Sequence, residues 1–421
     1  MHPIRGFTIA VIVCSVTLAA QAKTVVLARL MKTDFSMPFL LQVNYEEEIE
    51  DGSRSFNTSR SRIVDLQRHE NVVLMFDESE SSADSEQPRL LARIPIRREN
   101  SESVDLDLNA AFDKIYYEED RTGEDYYGRV DKEDYRSFPL LHRRALAVSR
   151  HGDVLVFDQA AETKGGTSVV AHYYLSRYRT DPDFSTLEIE NLDRFGFYET
   201  YPRNHRGHSV LYAMKFDAHD PIVFALSSSI PEPYREAARD GVRYWNRALG
   251  KPLLRVVDAP PGVRAPSPDY NIIEWVPEGN FRSTSYIQSD PLTGQILHAH
   301  IFVLRETMMD GDLDEQNDHL RYIVAHEVGH ALGLRHNFAE GAPWTVMNYF
   351  TLLEMLEIGR DIRIGKPALA YDRQVMRHAY LGEALDLDAL PPFCTDGHRG
   401  CSPFSSLPPP ETIGIKGGAE Q

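Results

Sequence analysis

From Thr24 to about Arg203, apolar and polar residues alternate, and β-branched and aromatic residues dominate. Alternation with a period of two marks strands that bury one face and wet the other. SRIVDLQRHENVVLMFD predicts a hairpin turning at His69-Glu70-Asn71, and ALAVSRHGDVLVFD a second one turning near Gly152-Asp153. SVVAHYYLSRYR and TLEIENL carry the pattern on, so residues 23–215 are expected to form a β-rich antiparallel N-terminal domain. Two acidic stretches, ESESSADSEQ and DKIYYEEDRTGEDYYGRVDKEDY, interrupt it and read as solvated loops.

At Pro221 the period changes. PIVFALSSSIP reads as a buried strand, and PEPYREAARDGVRYWNRALG as a helix with Pro near its start and Ala238, Val242, Trp245 and Leu249 on one face. NIIEWV is a short strand, and SYIQSDPLTGQILHAHIFV is two strands joined by a turn at Asp290–Gly294. NDHLRYIVAHEVGHALGL is a helix, with Leu320, Ile323 and Val324 packing inward. The order strand, helix, strands, helix predicts a second domain over residues 216–390, and α+β is the expected fold class of the chain. From Pro391 the sequence turns Pro- and Gly-rich, so residues 391–421 read as a small loop and a mobile tail.

Charge narrows the partners. With 63 Asp and Glu against 45 Lys and Arg, the net charge is -18, and such a chain repels phosphate backbones and anionic lipids. The start, MHPIRGFTIAVIVCSVTLAAQAKT, has a basic residue at Arg5, an apolar stretch from Phe7 to Ala20 and a small-x-small site at Ala20-Gln21-Ala22. That layout predicts a secretory signal peptide over residues 1–22, secreted or periplasmic placement, and no membrane span after its removal. Only Cys394 and Cys401, within FCTDGHRGCS, follow that segment. In an exported protein the pair is expected to form a small disulfide loop; the alternative, thiol metal ligands, would need partners that the chain does not place nearby.

One run carries chemistry. In HEVGHALGLRH, His326 and His330 lie four apart on a helix, which puts both imidazoles on one face about 5–6 Å apart at Cβ. Two imidazoles so placed can reach one ion. Gly333 offers the left-handed conformation that ends helices, after which His336 can return as a third nitrogen ligand. Three imidazoles with an open fourth position describe a catalytic Zn2+ site rather than a closed structural one. Glu327, next to the first ligand, is suited to act as general base.

HEVGHALGLRH resembles the H-E-x-x-H-x-x-G-x-x-H motif of metzincin zinc endopeptidases. TVMNY supplies Met347 as the candidate for the methionine turn beneath the metal, a packing platform rather than a ligand. Tyr349 falls where several metzincin families keep a tyrosine that binds zinc at rest and swings away to hydrogen-bond the oxyanion; a core tyrosine is the alternative. DPIVFALSSSIPEPYREAARDGVRYWNRAL, SDPLTGQIL, AHEVGHALGLRHNF and FCTD are similar to secreted bacterial zinc-dependent metallopeptidases that carry a β-rich N-terminal region. The resemblance implies a twisted mixed sheet with an active-site helix, peptide or protein substrates, and peptide docking along a sheet edge above that helix. The Gln295–Val303 strand is the expected edge.

Two weaker signals remain. His298 and His300 share one face of a strand, either as ordinary strand positions or as ligands of a second metal. The run Asp310–Glu315 offers carboxylate oxygens of the kind Ca2+ takes, without EF-hand spacing; a solvated loop before the helix is the other reading.

Overall fold

The structure, a computed structural model, describes residues 26–48, 54–79, 89–117, 136–189, 196–200, 210–279, 282–339, 344–386, 390 and 393–395. The expected signal peptide, most of both acidic stretches, Cys401 and hence its pairing with Cys394, and the tail lie outside the described residues.

The alternating N-terminal half forms one antiparallel sheet. Its strands are β1 (Leu27–Met31), β2 (Phe39–Glu48), β3 (Arg54–His69), β4 (Val72–Asp77), β5 (Arg89–Glu99), β6 (Ser103–Asp107), β7 (Lys114–Tyr117), β8 (Arg136–His151), β9 (Val154–Thr163) and β10 (Ser168–Arg177). They run in the order β1-β6-β5-β4-β3-β2-β10-β9-β8-β7, and the sheet curls until β7 packs against β3. Both predicted hairpins form, with positive φ at Glu70 and Gly152 where the chain reverses. Alternate residues such as Val73, Met75, Leu155 and Phe157 point into one core, where Tyr173 stacks on Phe112 at 4.2 Å and Phe157 at 4.6 Å. One correction falls here: Lys114–Tyr117, expected in a solvated loop, is strand β7. Ile115 is buried in the core and pairs with Phe138, and that burial outweighs the acidic residues that follow. TLEIENL forms no strand among the described residues; Glu188 makes one bridge to Tyr212. Nearby, β11 (Glu199–Thr200) pairs with β12 (Tyr212–Ala213).

The second half is built on a mixed five-stranded sheet, and the chain as a whole is α+β. Strands β13 (Ile222–Leu226), β14 (Leu254–Asp258), β15 (Asn271–Val276), β16 (Thr284–Ser289) and β17 (Ile296–Leu304) take the order β14-β13-β15-β17-β16. All neighbours are parallel except β16, which runs antiparallel to β17. The expected docking edge is therefore corrected: β17 is paired on both sides, and β16 is the edge. Helix α1 (Glu232–Leu249) buries the predicted Ala238, Val242, Trp245 and Leu249. Helix α2 (Leu313–Ala331) is buried along most of its length, with α1 on one side and α3 (Leu352–Arg363) on another; α4 (Ala370–Leu381) packs on α1. Helices α3 and α4 and strand β14 lie where no element is predicted above.

Small residues let these helices close on α2. A Cβ at Gly241 would fall 2.7 Å from Val324 Cβ, and one at Gly359 would fall 1.8 Å from the Asp318 carbonyl oxygen. Trp245 sits fully inside, its indole N–H donating to the Ala325 carbonyl at 2.8 Å. Burying a side chain of that size contributes about 2–3 kcal/mol. The other face of the sheet meets the N-terminal half: Phe56 of β3 stacks on Phe302 of β17 at 4.2 Å, and the Tyr286 hydroxyl of β16 donates to the Phe56 carbonyl.

Candidate metal centre

Asp312 caps α2 by accepting from the Glu315 amide at 2.9 Å, so part of the acidic run serves as a helix start. Further along, the Gly333 φ of +100° reverses the chain, and a Cβ there would lie 2.0 Å from the Met214 carbonyl oxygen. Only glycine fits, for conformation and for space. The reversal brings His336 back over the helix. The Nε2 atoms of His326, His330 and His336 stand 3.1, 3.1 and 3.3 Å apart. Ligands at Zn–N distances of 2.0–2.1 Å around a tetrahedral ion would be separated by about 3.3–3.4 Å, close to what is found.

Protonation supports the same assignment. His326 Nδ1 lies 2.7 Å from the Val346 carbonyl oxygen and His330 Nδ1 lies 2.7 Å from that of Leu334. A carbonyl only accepts, so each Nδ1 carries the proton and each Nε2 turns its lone pair toward the others. Burial, followed by the neighbouring His336 and His326, holds the pKa of His330 well below 6.5. Lone pairs converging in a buried site repel one another unless a cation lies between them, and the residues present fit a metal ion. Among the described residues this is the sole cluster of three or more His, Cys, Asp or Glu side chains able to share an ion. His298 and His300 acquire no third partner of that kind; burial holds them neutral, with pKa values of about 4 and 3.

Around the triad the other predicted residues take definite places. Glu327 is buried, its Oε2 without a hydrogen-bond partner. Burial pushes its pKa up to about 8, opposed by an interaction with Ser285 on the edge strand β16. The Tyr349 ring lies 4.6 Å from that of His336 and 5.7 Å from that of His326. Met347 is fully buried beneath α2, where a Cβ on Gly329 would come within 2.2 Å of its sulfur. So Gly329, the glycine within HEVGH, makes room for Met347, a role that the motif spacing alone does not reveal.

Three further groups hold the centre and were not anticipated. Asp372 of α4, fully buried, accepts from the Val346 amide at 3.0 Å, from the Tyr244 hydroxyl at 2.5 Å and from the Thr345 hydroxyl. Thr345 Oγ1 in turn accepts from the Met347 amide at 3.0 Å, and the carbonyl of that same peptide unit, Val346 C=O, takes the His326 Nδ1 proton. A chain of hydrogen bonds thus runs from α4 to a candidate ligand. Burial lifts the Asp372 pKa to about 6 against the pull of its donors. The segment 196–200 wraps the His336 loop: the Tyr198 amide donates to the Gly333 carbonyl at 2.7 Å, and the Arg335 amide to that of Gly196 at 2.9 Å. Glu199 and Arg335 form a buried ion pair at 2.8 Å. A signal for Asp372 existed, since Tyr371, Asp372, Val375, Met376 and Ala379 share one helical face and an acid among them calls for donors.

A mixed sheet packed on a helix that carries three convergent imidazoles, with a buried methionine below, defines a metzincin-like centre. A family described as Met-zincin matches residues 309–346, which span α2, the triad and the approach to Met347. No curated protein matches the chain. Among solved structures, the ywiB protein from Bacillus subtilis aligns over 34% of this chain and 93% of its own length at 9% identity. Its TM-score of 0.15 is too low to bear on fold or function. Among the described residues no helix is long and apolar enough to cross a membrane.

Proposed function

We propose that the protein is a zinc-dependent endopeptidase that leaves the cytoplasm by way of residues 1–22 and hydrolyses peptide bonds. The observation that carries this reading is the convergence of three Nε2 atoms, those of His326 and His330 presenting lone pairs, beside a buried carboxylate with an unpartnered oxygen. Zn2+ held by His326, His330 and His336 would supply Lewis acidity and lower the pKa of water toward 7. Glu327 then accepts the proton of the attacking water and returns it to the leaving amine. Glu327, whose pKa burial raises, would be held in its carboxylate form by a divalent charge beside it. The Tyr349 hydroxyl donates to the oxyanion in the transition state, and Met347 and Gly333 hold the ligands in place. The substrate backbone pairs with the free edge of β16, which gives affinity with little dependence on sequence.

The test is direct. Full-length protein stripped with a chelator and reloaded with one equivalent of zinc should cleave denatured casein, and the stripped protein should not. Stoichiometric zinc with no cleavage of any protein substrate would leave a metal-binding scaffold and refute the enzymatic reading.

A further inference from the structure

Arg282 sits immediately before the edge strand, exposed, with its guanidinium carbon 5.9 Å from the centre of the Tyr349 ring. Tyr349 in turn packs on His336 and His326, so one aromatic ring separates this cation from the candidate metal ligands. Its backbone is fixed by the next residue. Ser283 Oγ accepts from the Leu304 amide at 3.1 Å and lies 3.0 Å from Thr307 Oγ1.

Arg282 makes no ion pair among the described residues. Several other arginines in the same half of the chain are paired. Arg235 and Arg239 share Asp258, Arg321 bridges Asp240 and Asp318, Arg335 pairs with Glu199, and Arg363 pairs with Asp318. Arg255 and Arg305 likewise form no ion pair among the described residues, so what distinguishes Arg282 is its place against the Tyr349 ring, beside the three convergent histidines. A guanidinium offers a planar fork of donors that matches a carboxylate.

We infer that Arg282 receives a carboxylate of the bound peptide next to the cleavage point, from an Asp or Glu side chain or from the peptide's own C-terminus. This rests on the proposed peptidase reading and assigns that site its charge preference. A peptide paired with β16 would lie about 4.7–4.9 Å from it. Successive residues advance by at most 3.8 Å. A carboxylate one or two residues from the scissile bond is therefore within reach of a side chain as long as arginine. The competing role, that Arg282 merely holds the Tyr349 ring, would affect all substrates alike.

Binding is measured by fluorescence anisotropy on the zinc-loaded, full-length Glu327→Gln protein, which retains the metal and does not consume the probe. Three labelled peptides of one sequence are compared: neutral and C-terminally amidated, the same with a Glu at successive positions, and the neutral one with a free C-terminal carboxylate. One of the acidic forms should bind about tenfold tighter than the neutral amide, and which one does identifies the carboxylate's source. Adding Arg282→Ala should remove the difference and leave the neutral peptide unchanged, Arg282→Lys should keep part of it, and Arg282→Glu should turn the preference toward a Lys-containing peptide. Equal binding of all three peptides, or an equal loss for all three in Arg282→Ala, would overturn the inference. Casein cleavage by the wild-type protein separates the two proposals. Cleavage without a charge preference leaves the peptidase and removes the role of Arg282; a charge preference in binding without cleavage does the reverse.

Discussion

Replacing Asp372 with asparagine keeps the volume of the side chain and changes only its hydrogen-bonding. The carboxylate accepts from the Val346 amide, the Tyr244 hydroxyl and the Thr345 hydroxyl, all in a fully buried site. Asparagine offers one accepting oxygen and points an NH2 group at donors that it cannot satisfy. Leaving a buried polar group unpaired costs about 1–3 kcal/mol. The two hydroxyls can rotate toward other partners, whereas the Val346 amide cannot, so a total of about 2–4 kcal/mol follows. For a domain of this size that lowers Tm by roughly 5–15 °C. The second effect concerns the metal. Thr345 and the Val346–Met347 peptide link Asp372 to His326 Nδ1, and loss of such outer contacts costs about 10–100-fold in metal affinity. Differential scanning fluorimetry gives the first quantity, and competition with a chromophoric chelator gives the second. A folded variant with lowered Tm and unaltered zinc affinity would refute the relay and leave Asp372 as a prop for the turn. An unaltered Tm would refute the count of orphaned donors.

Glu327→Gln should keep zinc and fold while turnover drops by at least about 10²–10⁴-fold, read by elemental analysis beside a peptide assay. Tyr349→Phe should lower kcat by about 10–10³-fold at constant KM and zinc content; a fall in Tm alone would make the hydroxyl structural. Gly333→Ala places a Cβ 2.0 Å from a backbone oxygen at φ +100°, so it should lose zinc and soluble yield together, and a normally metallated variant would contradict the geometry. His172 titrates in a wide window. Burial alone would lower its pKa, but hydrogen bonds to Asp158 and Glu46 raise it from 6.5 to about 9. The folded chain therefore keeps a proton that the unfolded chain has lost, and this contribution is full below pH 6.5 and disappears as pH rises through 9. His172→Gln should flatten the fall in stability between those values; equal slopes in urea titrations of both proteins would dismiss the pairing.

Local periodicity made the three candidate metal ligands legible, because i and i+4 on a helix and one left-handed glycine fix their positions without reference to the rest of the fold. The order of strands is not local. β16 and β17 form a hairpin, and the turn between them does not say which arm meets β15. The unbroken apolar run Ile301-Phe302-Val303-Leu304 is the trace of an interior strand, and the mixed TSYIQS is the trace of an edge. Strand β7 was obscured for the opposite reason, a four-residue strand next to a long acidic stretch. Asp372 and Gly329 act through partners far away in the chain, and their contribution emerges only when α4 and Met347 are brought against α2.

The wrapping of the His336 loop by residues 196–200 has a consequence for how the protein comes into being. Those hydrogen bonds join positions separated by well over a hundred residues, so the loop that presents the third imidazole is completed late, after a large stretch of chain has been closed into place. Metal capture and the docking of this upstream strip should then be one cooperative event. A polypeptide begun at Pro221 would retain every motif residue and still lack the backbone that shapes its third ligand, and nicking near residue 205 would leave the two pieces associated rather than free.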